Sequence, residues 1–363
     1  VAYLVGESGA DLGVMISASH NPMPDNGIKL FSRGGGKLDD AIEAAIEKRM
    51  GEPWVRPTGR NVGRISFDAT AADRYLSHLL GSVTTDLQGL KIVVDCANGA
   101  ASQIAPRAYE KAGATVVAIH HQPDGWNINQ DCGSTHLADL QARVIAEKAD
   151  FGIAHDGDSD RCLAVDATGA VIDGDVIMTI LARGFKERGA LRDNTIVATV
   201  MSNLGFMKAM QAADIKVITT TVGDRYVLEE MLKGNYSLGG EQSGHLIMRE
   251  FAGTGDGILT ALQLAQEVKR TNRSLGDLAA AMQRFPQVLI NVSNVAKEKL
   301  ESSEKISSAV AGAEATLADS GRVLLRASGT EPLVRVMVEA ASDNLAQEIA
   351  ASLAAVVKAE LEI

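Results

Sequence analysis

The chain has 363 residues, a length that suggests two to four domains. Its net charge of −11 disfavours broad binding to nucleic acid or to an anionic membrane surface. Hydrophobic residues make up 46 % of the chain and aromatics only 4 %, which excludes wholesale disorder and suits helices packed on sheets. The three cysteines, Cys96, Cys132 and Cys162, form no CxxC pair; this sparse, odd set fits a reducing cytoplasm and argues against a disulfide framework. No run reaches the ~18–20 apolar residues of a membrane span.

In chain order, Val14–Ser17 reads as a strand, followed by a Gly/Asn/Pro-rich stretch and a helix near Asp39–Met50. Lys91–Asp95, Thr115–Ile119 and Phe151–Ala154 read as strands separated by helices near Ser102–Ala112 and Leu137–Lys148, with Cys162–Val165 as one more short strand. Such βαβαβ alternation predicts a parallel sheet with helices on its faces. The pattern then restarts. Helices near Asp175–Gly189, Leu204–Ala213 and Asp224–Leu232 alternate with strands Thr195–Thr199 and Lys216–Thr221. The extended, glycine-broken stretch Leu238–Met248 and a long helix near Gly255–Arg270 close this unit. The end differs: strands at Gln287–Val292, Arg322–Ala327 and Val334–Glu339 stand among helices near Glu304–Ala318 and from Asn344 onward, a small α+β domain. Boundaries are placed near 70, 171 and 286, where Gly169, Asp173-Gly174 and Pro286 mark turns.

Four constellations could carry chemistry. In Ser17-Ala18-Ser19-His20-Asn21-Pro22, with Lys29 following, a serine after a strand sits in an enforced turn beside an imidazole, the arrangement of an activated hydroxyl. The competing reading is a polar strand-end turn. In Asp156-Gly157-Asp158-Ser159-Asp160-Arg161, three alternating carboxylates can converge on a hard cation at the carboxyl end of a strand. An EF-hand loop is excluded, because its sixth position would be Arg161 and its twelfth Ala167. With no His or Cys accompanying the carboxylates, Mg²⁺ is favoured over Zn²⁺; a solvated acidic turn is the alternative. Glu241, Ser243 and His245 on a glycine-rich loop offer the mixture of acceptors and hydroxyl partners that sugars need, or form an ordinary hairpin. Arg326, Ser328, Gly329, Thr330 and Arg335 surround a strand-end turn suited to a phosphate dianion, or merely decorate it. Taken together, a nucleophilic serine, a cation site, a sugar-reading loop and a phosphate clamp are the parts of phosphoryl transfer on a sugar phosphate. The turn CANGAAS after Lys91–Asp95 lacks GxGxxG, against dinucleotide binding.

SASHNP, DGDSDR, GEQSGH and RASGTEPLVR, in this order, resemble the four signature loops of the α-D-phosphohexomutases. The segments Pro123–Asn129, Thr221–Val227 and Gly253–Gly257, and the GEQSGH form of the third loop, are similar to those of the phosphoglucosamine mutase subfamily. The resemblance covers essentially the whole chain. It implies three related α/β domains with mixed sheets between helices and a C-terminal α+β domain like the TATA-binding protein: residues 1–70, 71–171, 172–286 and 287–363. It also implies a glycine-rich segment and a strand–helix stretch, with an arginine near the phosphoserine, ahead of the serine loop. Here that loop begins 16 residues in, so the first domain is expected to be truncated, with an open strand edge that pairs with a second copy in a homodimer.

The implied isomerase carries a phosphate on Ser19, with Mg²⁺ between it and Asp156, Asp158 and Asp160. His20, Lys29 and Arg161 assist proton handling and charge stabilisation, and Glu241, Ser243 and His245 read the sugar. Arg326, Ser328, Gly329, Thr330 and Arg335 hold the phosphate that is not transferred. The implied reaction interconverts glucosamine 6-phosphate and α-glucosamine 1-phosphate through the 1,6-bisphosphate, with glucosamine or glucose 1,6-bisphosphate as activator, on the cytoplasmic route to peptidoglycan. The alternatives are a phosphomannomutase/phosphoglucomutase and an inactive fragment that only binds sugar phosphate.

Overall fold

Runs such as KIVVD (91–95), FGIA (151–154) and TIVAT (195–199) carry too little polar surface to face water on either side, and each is a central strand buried along nearly its whole length. The computed structural model describes residues 1–328 and 332–363. It divides into two units. The first comprises Val1–Met201 with Ala213–Ala281, the second Ser202–Ala212 with Met282–Ile363.

The first unit holds three sheets among the described residues. Strands β1 (Leu12–Ile16) and β2 (Ile28–Ser32) form an antiparallel hairpin. The hairpin closes through Ser17 N–H donating to the carbonyl of Gly27 at 2.9 Å. A Cβ on Gly27 would stand 2.3 Å from the Ser17 carbonyl oxygen, so only glycine allows the ends of the serine loop to meet. The second sheet runs in the order β4 (Thr115–Ile119), β3 (Lys91–Asp95), β5 (Phe151–Ala154), β6 (Leu163–Asp166), β7 (Val171–Ile172). Its first three strands are parallel and the last two antiparallel, so the sheet is mixed, as the family resemblance implies, where the strand–helix alternation alone predicts a parallel one. The reason is local. Only eight residues separate β5 from β6, too few for a parallel crossover but enough for a hairpin around the acidic loop.

The third sheet repeats this plan in the order β11 (Leu246–Met248), β10 (Leu238–Gly240), β8 (Thr195–Thr199), β9 (Lys216–Thr220). The stretch read as one extended segment, Leu238–Met248, is thus a hairpin with Glu241–His245 at its turn. Helices Gly174–Glu187 and Gly257–Thr271 are buried around most of their circumference, the second with Thr260, Gln263, Gln266 and Glu267 among its buried residues. Their first turns are capped by Asp173, which accepts from Val176 N–H, and Asp256, which accepts from Leu259 N–H.

In the second unit, β12 (Gln287–Ser293), β14 (Leu333–Glu339) and β13 (Arg322–Ala327) form an antiparallel sheet with β14 in the middle. The helix Asp343–Leu361 lays Ala346, Ile349, Ala350, Leu353, Val357 and Leu361 on one face at helical spacing, and these pack with Val334, Val336 and Val338. Among the described residues no helix is long and apolar enough to cross a membrane.

The elements not anticipated include β7, the helix Leu275–Ala279 and three nearer the N-terminus. Helix Ala2–Ser8 is only seven residues long and ends in left-handed Gly9, too short for its periodicity to register. Strand β2 follows a turn-rich stretch that masks it. Helix Ala71–Gly81 buries just Leu76 and Leu79, a weak stripe.

Candidate active site

The acidic loop leaves the carboxyl end of β5 and returns at β6, so Asp156, Asp158 and Asp160 are held at the end of the second sheet with ligand oxygens within 4.8 Å of one another. The Asp156 side chain is fully buried and that of Asp158 is 2 % exposed. Gly157 is needed between them: a Cβ there would lie 2.6 Å from the Ser19 carbonyl oxygen and from Asn129 Nδ2. The serine loop therefore comes down directly on the acidic loop. Ser19 Oγ donates to Asp156 Oδ2 at 2.9 Å, and Ser17 Oγ donates to Asp158 Oδ2 at 2.8 Å. Asn129 Nδ2 ties the serine loop down by donating to the carbonyls of Ser19 and Asn21, both at 2.8 Å. Ser19 itself has φ +54°, a left-handed conformation that costs a non-glycine residue energy and is found at sites where the surroundings over-determine the backbone.

The charges are arranged around this contact. Lys29, carried by β2, donates to Asp158 at 2.5 Å and Asp160 at 3.1 Å. Burial alone would lower its pKa, but Asp160 and Asp158 more than offset that and raise it, so the ammonium is permanent. Burial, followed by repulsion from Asp160 and Asp158, raises the pKa of Asp156 well above the carboxylate range. For Asp158, burial acts upward but Lys29 outweighs it and lowers the pKa. His20 Nδ1 lies 3.4 Å from Ser19 Oγ. Burial, reinforced by the charge of Arg161, lowers its pKa, so the imidazole is neutral at pH 7 and can accept a proton. The Arg161 guanidinium stands 3.7 Å from Asp156 Oδ2.

These residues fit a hard divalent cation. The donors are all oxygens, and Asp158 Oδ1 and Asp160 Oδ1 are buried with no hydrogen-bond partner among the described residues. Lys29 and Arg161 bring two positive charges against three carboxylates.

The Glu241–His245 loop belongs to the same unit and meets the acidic loop edge to edge. Arg161 and His245 form a β-bridge, and Cys162 N–H donates to the Gly244 carbonyl at 2.9 Å. His245 Nε2 lies 3.2 Å from Asp224 and 3.8 Å from Asp160. Glu241 accepts from Gly223 N–H at 3.1 Å, and Ser243 is half-buried on the same turn. The structure thus brings Ser19, His20, Lys29, Asp156, Asp158, Asp160, Arg161 and His245 into contact with one another, with Glu241 and Ser243 on the same turn as His245. Arg326, Ser328 and Arg335 belong to the second unit, where Arg326 and Arg335 face each other across β13 and β14. Ser328 is buried, its carbonyl accepting from Lys297 at 2.5 Å. Gly329 and Thr330 lie outside the described residues.

Sequence reading missed Ser17, Asn129 and His155 as parts of this site. Ser17 and Asn129 sit inside quoted motifs, and the excess of polar residues at strand ends was the available signal. His155 is buried without exposure to the site. Its Nδ1 faces the Arg161 carbonyl at 2.9 Å and its Nε2 the Tyr109 hydroxyl at 2.7 Å. Because a carbonyl only accepts, Nδ1 carries the proton and Nε2 accepts from Tyr109. His155 thereby holds the end of the acidic loop. Burial lowers its pKa to about 4, against about 6.5 in an unfolded chain. A depressed histidine pKa means that the unfolded chain binds the extra proton first. The stability it contributes is complete above pH 6.5 and drains away as pH falls toward 4, by about 2 kcal/mol at pH 5. His155→Gln is expected to shrink the stability loss between pH 8 and pH 5 by that amount, as read from urea unfolding at the two pH values.

Comparison with known proteins places this geometry. Four domain models described as phosphoglucomutase/phosphomannomutase match: alpha/beta/alpha domain I at residues 1–53, domain II at 73–169, domain III at 173–285 and the C-terminal domain at 289–356. The phosphoglucosamine mutase of Nocardioides sp. is 59 % identical over 363 residues, covering 100 % of this chain and 81 % of that protein. The phosphoglucosamine mutase of Thermobifida fusca is 58 % identical over the same shares. Among solved structures, the Aspergillus fumigatus N-acetylphosphoglucosamine mutase in complex with GlcNAc-6P and magnesium is similar with a TM-score of 0.79 at 19 % identity, covering 99 % of this chain and 92 % of that one. A phosphoglucomutase/phosphomannomutase family protein from Burkholderia thailandensis gives a TM-score of 0.78 at 24 % identity, over 97 % and 78 %. At these identities the two structures establish the fold, while the two bacterial relatives carry the assignment further: this chain belongs to the phosphoglucosamine mutase family of the phosphohexomutase superfamily, a family of isomerases.

Proposed function

We propose that the chain interconverts glucosamine 6-phosphate and α-glucosamine 1-phosphate by way of a phosphoserine at Ser19 and glucosamine 1,6-bisphosphate. The observation that carries the reading is the contact of Ser19 Oγ, 2.9 Å from Asp156 Oδ2, with a buried three-carboxylate loop, beside a neutral His20.

In the forward direction the sugar O1 attacks the phosphorus of phosphoserine. A P–O1 bond forms, the P–Oγ bond breaks, and the O1 proton is relayed through a basic group of the site to the departing Ser19 Oγ. His20, the neutral acceptor nearest to Ser19 Oγ, takes the Oγ proton when Ser19 is phosphorylated again. Lys29 and Arg161 offset the negative charge of the phosphoryl group as it moves. The bisphosphate then turns around and returns its 6-phosphoryl to Ser19 Oγ, which is why one clamp has to accept either phosphate end. Asp156, Asp158 and Asp160 would hold Mg²⁺, which when bound neutralises the transferring phosphoryl oxygens. Glu241, Ser243 and His245 read the sugar hydroxyls and the 2-amino group, Glu241 being the acceptor suited to the ammonium. Arg326, Ser328, Gly329, Thr330 and Arg335 hold the other phosphate as guanidinium forks and hydroxyls.

Domains divided near 70, 171 and 286, a cytoplasmic setting, activation by glucosamine or glucose 1,6-bisphosphate and a homodimer go with this reading. The test is ³¹P NMR of the chain with Mg²⁺, a bisphosphate primer and glucosamine, mannose or glucose 6-phosphate in separate tubes. A 1-phosphate signal that grows fastest from the glucosamine sugar is the expected outcome. Faster turnover of mannose or glucose phosphate would move the chain to the sister activity, and silence in all three tubes would refute the reading.

A further inference from the structure

The second sheet carries another cluster that the phosphoryl transfer does not use. Asp95 ends β3, His120 follows β4, and Cys132 precedes the short turn at Gly133–Thr135. One ligand atom from each, a carboxylate oxygen, an imidazole nitrogen and the thiol sulfur, lie within 4.8 Å of one another. This O/N/S set differs in kind from the all-oxygen acidic loop. Thiolate and imidazole select a borderline-soft ion such as Zn²⁺, where the acidic loop suits Mg²⁺.

The surroundings orient each donor. Asp95 is fully buried; its Oδ1 accepts from Ala97 N–H and its Oδ2 from Gly133 N–H, both at 2.9 Å, which fixes the carboxylate and leaves further lone pairs. His120 Nε2 lies 3.3 Å from Asp139 Oδ2, the outer carboxylate that commonly sets the tautomer of a metal-binding imidazole. Nδ1 faces inward, toward Asp95. Nδ1 is buried, 3.0 Å from Asp95 Oδ2. At this distance Nδ1 and the Asp95 carboxylate share a proton in the absence of a metal, and a divalent ion bound to both would take that proton's place. Cys132 is fully buried at the same point. The backbone is committed to this arrangement as well: Ala97, Asn98, His120, Asn129 and Asp131 all have positive φ.

We propose that Asp95, His120 and Cys132 form a second metal site, for a Zn²⁺-class divalent ion, with Asp139 as the outer partner of His120. Binding releases the thiol proton to solvent, and one coordination position is left for water. The ion clips β3 and β4 to the 129–136 segment. Asn129, three residues before Cys132, holds the carbonyls of Ser19 and Asn21, so occupancy stiffens the support of the serine loop.

Co²⁺ is the probe, titrated into the full chain in the presence of excess Mg²⁺. The expected result is a near-ultraviolet thiolate-to-cobalt charge-transfer band that saturates at one ion per chain and is displaced by Zn²⁺. The band should persist in Asp158→Asn, vanish in Cys132→Ser, and need at least tenfold more Co²⁺ in His120→Gln. Absence of the band from the folded wild-type chain would overturn the proposal, as would its survival in Cys132→Ser. If Cys132→Ser does not fold, His120→Gln decides: unchanged Co²⁺ affinity there refutes the site.

Discussion

Ser19→Ala is expected to lower mutase turnover by at least ~10⁴-fold, with folding and Mg²⁺ binding retained. The size of the effect follows from the absence of a stand-in. Ser17 is the other hydroxyl of the loop, but its Oγ donates to Asp158 and accepts the Ser19 N–H at 2.9 Å, so it is committed on both sides. His20 is placed to handle the proton of Ser19 Oγ and has nothing to act on once that oxygen is gone. Stability should change little. The residue keeps its left-handed φ with either side chain, and the loop stays tied through Asn129 to two carbonyls that the substitution leaves in place. The measurement pairs ³¹P NMR turnover with intact mass after incubation with glucose 1,6-bisphosphate. The wild-type chain should gain one phosphoryl group and the variant none. Phosphorylation of Ser19→Ala at another residue, with turnover preserved, would remove Ser19 from the mechanism.

What could be read from the sequence was whatever is local. Ser19 and the three aspartates each follow a strand within a few residues, and strand ends in α/β sheets are where ligands bind, so motif and position agreed. The Glu241–His245 loop was visible for the same reason, although its hairpin was not, because Leu238–Gly240 and Leu246–Met248 are three-residue strands with no periodicity to detect. The groups that could not be read act across long sequence separations. Asn129 reaches the serine loop 110 residues away. His155 looks like an ordinary strand-end histidine until Tyr109 and the Arg161 carbonyl close around it. The Asp95, His120 and Cys132 cluster is of the same type: the pairing of β3 with β4 brings Asp95 and His120 together, and the Gly133 N–H bond to Asp95 adds Cys132. Mixed strand direction in the second sheet follows from the family resemblance and not from the alternation of strand and helix, which carries no information about a hairpin appended at the edge.

Asp156→Asn is expected to separate activity from stability. Asp156 is the most deeply buried of the three carboxylates and the one whose pKa burial and its two neighbours raise. It sits there at an energetic cost that a divalent cation would offset. The asparagine is nearly isosteric. Its oxygen can still accept from Arg161 N–H, as Asp156 Oδ1 does at 3.2 Å, and its amide can donate to Ser19 Oγ, reversing the bond seen at 2.9 Å. The geometry is therefore kept while one negative charge is lost. Catalysis should suffer, because an electrostatic contribution of several kcal/mol depends on the cation; turnover is expected to fall by roughly 10²–10³-fold. In chelator, however, the variant should unfold at a higher temperature than the wild-type chain, since like-charge repulsion is relieved and no ion is present to be missed. Added Mg²⁺ should then raise the wild-type melting temperature and leave that of the variant nearly unchanged. Thermal unfolding of both proteins, with and without Mg²⁺, reads all four states. A variant that is less stable than wild type in chelator and still gains from Mg²⁺ would show that Asp156 is a structural acceptor for Ser19 and Arg161, and that the cation is held by Asp158 and Asp160 without it.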